Sequence, residues 1–72
     1  VIDDDETLVR IVAPHFVAGI VVKNDRVVAA ADVVRYMERR RWTADDVRAY
    51  VARKGWKATI VPRKYYEAWN RR

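Results

Sequence analysis

The chain of 72 residues has no cysteine, no serine, one histidine, two glycines, two prolines and a single leucine, Leu8. Without cysteine there is neither a disulfide framework nor a zinc-thiolate site to staple the fold, and a reducing compartment fits best. Without serine or cysteine the common nucleophiles are gone. Three threonines remain, and one of them, Thr43, is better placed as a helix cap than as a catalyst. His15 stands alone between Pro14 and Phe16 at a strand junction, a setting that fits a packed or turn residue. No Asp-x-Lys or Glu-x-Lys pair of the metal-nuclease kind occurs, and P-loop, dinucleotide and zinc motifs are missing. The expectation is therefore a protein that is not an enzyme and takes no cofactor or metal.

Long apolar runs are also missing. Nothing approaches 18 consecutive apolar residues, and Asp3, Asp4, Asp5 and Glu6 are acidic where a secretory signal is basic, so no membrane partner and a cytoplasmic location are expected. Those four acids read as a solvated, flexible leader over residues 1–6.

What the chain does have is valine, alanine and arginine. Apolar residues make up 51% and charged residues 35% of a chain that contains 13 valines and 10 alanines. This is a folding composition, and valine argues against a purely helical bundle. One domain spanning 1–72 is expected, with a core that supplies only roughly 3 to 5 kcal/mol, so every packed aromatic counts. The net charge of +5 is unevenly spread: residues 1–31 carry five acids against three bases, and residues 32–72 five acids against twelve. A basic half of this kind raises the expectation of a polyanionic partner, because neutralised phosphates release counterions.

The pattern along the chain predicts an α+β fold in the order β-β-β-α-α-β-α, a small sheet built on a β-hairpin plus a later strand and covered by two or three short helices. "TLVRIVAP" reads as a strand stopped by Pro14. "HFVAGIVVKNDRVVAAA" reads as two strands around Asn24–Asp25, with Val22 opposite Val27, Ile20 opposite Ala29 and Ala18 opposite Ala31 on one face. Both hairpin faces are apolar, so each is expected to be covered in part or to pair with another chain as a homodimer. Gly19 is a candidate bulge or a point of close backbone approach. A first helix is expected from Asp32, its N-cap, to about Arg40 or Arg41, with Val33, Val34 and Met37 inward. A second runs from Ala44 to Lys54, burying Val47, Tyr50, Val51 and the stem of Lys54. The pair has helix-turn-helix proportions, and a winged variant is open, although the turn lacks the usual glycine. "WKATIVP" alternates as a last strand, with Trp56, Ala58 and Ile60 on one face, and "RKYYEAWNRR" suits a final helical turn or two.

Local physics explains the ends of the second helix. Thr43 is its N-cap, Trp42 and Val47 occupy the staple positions, and Asp45 and Asp46 oppose the helix dipole. Gly55 sits at C′, which lets Trp56 meet Val51 in a Schellman cap. Two carboxylates in the first turn repel phosphate from the end that a reading helix presents to bases. The helix is then a scaffold, and the candidate nucleic-acid or partner contacts are its flanks: Arg39, Arg40, Arg41, Arg53, Lys54, Lys57, Arg63 and Lys64, with Tyr65, Tyr66 and Trp69 available for stacking.

The segments "APHFVAGIVV", "RVVAAADVVRYM" and "VRAYVARKGW" resemble a group of small bacteriophage and prophage accessory proteins over roughly residues 10–60. Asp32 departs from that pattern, which often has proline there. The resemblance implies a phage protein working in a bacterial cytoplasm and carries no site residues. Three readings follow: a small non-catalytic binding module whose basic C-terminal half contacts nucleic acid; an inhibitor of a host nucleic-acid machine or defence complex, such as a CRISPR effector; and a dimeric structural or assembly protein.

Overall fold

A computed structural model describes residues 5–65. Four antiparallel strands, β1 (Glu6–Ala13), β2 (Phe16–Lys23), β3 (Arg26–Ala30) and β4 (Lys57–Ile60), form one sheet in the order β3-β2-β1-β4. Between β3 and β4 the chain makes a 3-10 turn (Asp32–Val34) and two helices, α1 (Arg35–Arg39) and α2 (Ala44–Lys54), and a second 3-10 turn follows at Arg63–Tyr65. This is the small α+β fold that the sequence pattern predicts, in the predicted order through β4; of the final helical turn or two expected over 63–72, residues 63–65 form the 3-10 turn and the rest lies outside the described residues.

Period-two alternation builds the sheet. Val9 and Ile11 of β1, Ala18, Ile20 and Val22 of β2 and Val27 of β3 point to one face, where Val34, Met37, Val47 and Val51 of the helical segment close the main core. On the opposite, helix-free face Leu8 and Val21 are buried, with Ala29 and Val61 packed against them. Pro14–His15 turns β1 into β2, and Asn24–Asp25, both at positive φ, turn β2 into β3. β2 is thus an inner strand. Its outer edge, left open in the sequence reading, is taken by β1 over all eight residues from Phe16 to Lys23.

Six expectations are corrected. Asp5 pairs with Lys23 at 3.5 Å and Glu6 opens β1, so a solvated leader does not extend to residue 6; residues 1–4 lie outside the described part. The hairpin register holds at Val22↔Val27 and then shifts, giving Val21↔Ala29 and Ile20↔Ala30. The bulge falls at Val28 on β3 and not at Gly19, which pairs regularly with Arg10. It turns Ala30 and Ala31 toward the core beneath α1, where small side chains let the helix approach.

The first helix is shorter than its periodicity implies. Asp32 makes no N-cap; its carboxylate pairs with Arg35 inside a tighter 3-10 turn, which buries Val34 and leaves Val33 exposed. With only five α-helical residues in α1, the pair lacks the helix-turn-helix proportions that the sequence pattern predicts. Lys54, finally, is exposed, and its ammonium lies 5.6 Å from the centre of the Tyr50 ring.

Candidate nucleic-acid interface

The α1–α2 connection carries Arg39, Arg40 and Arg41, and its shape comes from a capping motif without glycine. Trp42 N–H donates to Met37 C=O and Arg41 N–H to Glu38 C=O, both at 3.1 Å, with Arg41 in the left-handed region at φ 49. That is the Schellman bonding pattern with arginine at C′. The turn docks on the β2–β3 hairpin: Val27 N–H donates to Trp42 C=O, Ala44 N–H to Asp25 C=O, and the Arg26 guanidinium to Arg41 C=O at 3.1 Å.

The docking brings Arg26 to the three predicted arginines, and all four are exposed. None has a carboxylate partner among the described residues. The acids near this corner are mostly engaged elsewhere. Glu38 accepts the Ala30 N–H at 2.9 Å, Asp45 holds Arg48 at 2.8 Å, and Asp46 completes a capping box with Thr43. Asp25, next to Arg26, offsets one of the four positive charges.

The other predicted contacts fall elsewhere. Arg53 and Lys54 are at the far end of α2, a helix of 11 residues and so about 16 Å long at 1.5 Å per residue, whose near end adjoins the arginine turn. The Arg53 guanidinium and the Lys54 ammonium lie 5.3 and 5.6 Å from the Tyr50 ring centre, and Lys57 opens β4 nearby. Arg63 donates to Glu6 C=O at 3.3 Å, and the Lys64 ammonium lies 5.1 Å from the Tyr65 ring centre. Tyr65 borders a groove with Arg10, Thr59 and Pro62, a place Arg10 shares only through the β1–β4 pairing. Tyr66 and Trp69 lie outside the described residues.

Trp42 and Trp56 are scaffold. Trp42, Tyr36, Tyr50, Trp56 and Phe16 form a continuous edge-to-face chain with ring centres 5.1–6.0 Å apart. Trp56 N–H donates to Val51 C=O at 2.9 Å and Gly55 N–H to Ala52 C=O at 3.2 Å, the expected Schellman pair. Within the aromatic chain the Tyr36 hydroxyl donates to that of Tyr50 at 3.4 Å. Burial, that hydrogen bond and the neighbouring Tyr50 together push the Tyr36 phenol up to about 12.

Arg26 and Arg10 were missed in the sequence reading. Each joins its cluster through pairing with residues 15 or more positions away, for which a local pattern carries no signal. No group of three or more metal-ligating side chains comes together among the described residues, and none of the described helices is long and apolar enough to cross a membrane. No protein-family model, curated protein or solved structure matches this chain.

Proposed function

We propose that the protein is a small non-catalytic binding module, of the phage accessory type and working in a bacterial cytoplasm, that contacts nucleic acid through an arginine corner. The supporting observation is the convergence of Arg26, Arg39, Arg40 and Arg41 on one exposed turn without carboxylate partners among the described residues. Four guanidiniums at one corner, three on the turn and Arg26 on β3, suit phosphate oxygens, which accept paired N–H bonds from arginine. The α2 N-terminus beside them carries Asp45 and Asp46, so the contact is to the backbone of the nucleic acid and not to base edges. Arg53, Lys54 and Lys57 extend the positive surface at the other end of α2.

Anisotropy of a labelled mixed-sequence DNA or RNA at two salt concentrations tests this. The triple change R39A/R40A/R41A is expected to weaken binding and to lower the slope of log K against log salt by about 2–3, near one unit per lost phosphate contact. No binding by the unaltered protein at low salt overturns the proposal.

The inhibitor reading is favoured by a different feature, the open outer edge of β4. Under it, a nuclease-treated host lysate yields a retained component of a nucleic-acid machine, and retention of none counts against it. The dimeric reading keeps its ground in part: β1 fills the outer edge of β2, but on the helix-free face Val12 and Val17 stay exposed.

A further inference from the structure

β4 is the outermost strand on the side of the sheet opposite the arginine corner, and all four of its residues are exposed. Its hydrogen-bond phase follows from one contact. Val61 N–H donates to Leu8 C=O at 2.9 Å, which with Ile60 opposite Val9 makes that a non-hydrogen-bonded pair of the antiparallel ladder. Lys57, Thr59 and Val61 therefore turn their backbone groups toward β1, and Ala58 and Ile60 turn theirs outward. Among the described residues nothing takes those outward N–H and C=O groups.

Natural sheets blunt such an edge with proline, bulges or inward-pointing charge. β4 lacks these along Lys57–Ile60, Pro62 coming only after it; its own safeguards are its length of four residues and Lys57, which points to the helix-free face. On the helix side Ala58 and Ile60 border an apolar groove of about 340 Å³ whose other walls include Val9, Val22, Ala44 and Val47. Ile60, at its mouth, is 68% exposed, more than any other large apolar side chain of the described residues. On the other face of the same edge stand Lys57 and Arg10, with Lys64 just beyond the strand.

We propose that the outer edge of β4 takes up an extended segment of a partner protein as a fifth strand, one that alternates apolar and acidic residues. Strand alternation sends every second side chain into the groove and the others to the cationic face. Charge selects the occupant. A second copy paired antiparallel through the same edge puts the Lys57 faces of both chains on the same side of the joined sheet, adding like charge to like with nothing complementary. An acidic strand is complementary.

The site is independent of the arginine corner and is tested separately. The probe is an eight-residue peptide of alternating valine and glutamate, added to the full chain at neutral pH and followed by amide exchange. Its controls are a valine–lysine peptide and a block peptide of four valines followed by four glutamates. The expected result is slowed exchange at the Ala58 and Ile60 amides with the alternating acidic peptide only. Ala58→Pro deletes an outward N–H without touching the bonds to β1 and is expected to weaken the peptide at least tenfold. Should that variant fail to fold, Ile60→Glu, which sets a like charge at the groove mouth on an exposed position, is expected to do the same. R39A/R40A/R41A leaves peptide binding unchanged. Protection that arises from raised protein concentration alone, from an oligonucleotide in place of the peptide, or equally from the valine–lysine peptide overturns the proposal, as does no protection at all.

Discussion

At Arg41 the chain holds a β-carbon in the left-handed region where most helices that end this way use glycine. A non-glycine residue there costs on the order of 1 kcal/mol. Arg41→Gly is therefore expected to raise stability by about 0.5–1 kcal/mol in urea melts while weakening nucleic-acid binding, since the Arg26 contact is to the residue 41 carbonyl and survives. A variant that gains stability and keeps full affinity removes Arg41 from the interface. Gly55 shows the converse. A β-carbon built on it meets nothing within 4 Å, so Gly55→Ala costs only backbone strain at φ 75, about 1 kcal/mol, with no effect on packing. Tyr36 supplies a pH signature. Its phenol titrates near 10 when unfolded and near 12 in the fold, so the fold favours the neutral form. The stability this gives is present below pH 10 and is lost as pH rises through 12. Tyr36→Phe is expected to flatten that part of the stability profile, followed by near-ultraviolet circular dichroism.

At the level of elements, α2 is the segment most fully legible in the sequence. Its Thr43 cap, its two first-turn aspartates, its buried Val47 and Val51 and its glycine stop are all as the local pattern predicts, because each depends on residues within one turn. Thr43→Ala removes the cap and the reciprocal bond to Asp46, and a loss of about 1 kcal/mol is expected in chemical denaturation. α1 was less legible. Its 3.6-residue period was visible, but the Asp32–Arg35 pair and the Val28 bulge that delivers Ala30 and Ala31 beneath it alter its start. The bulge left no local signal: Val27, Val28 and Ala29 read equally well in a straight strand.

At the scale of the whole molecule, most of the core of the described residues lies in one layer between sheet and helices, with Leu8 and Val21 a smaller cluster on the other face. Met37 is fully buried at the junction of sheet and helices, and Met37→Ala is expected to cost about 2–5 kcal/mol, comparable to the entire stability of a domain this size. Loss of cooperative thermal unfolding is the corresponding observation. The sequence by itself determined the class of fold, the hairpin turn, the capping of α2 and the scaffold role of Trp42 and Trp56, because these depend on periodicity and on neighbours a few residues apart. Only the tertiary structure decided how the charges are grouped. The eight basic or aromatic candidates beyond Arg41 read as one continuous half in the sequence. In the fold α2 separates Arg53 and Lys54 from the arginine turn, pairing with β1 draws Arg10 toward Tyr65, and the hairpin delivers Arg26 to Arg41. Strand order likewise decided which edge stays open. A strand's sequence fixes the faces of its side chains, while its neighbours fix whether its backbone is satisfied, and those neighbours lie far along the chain.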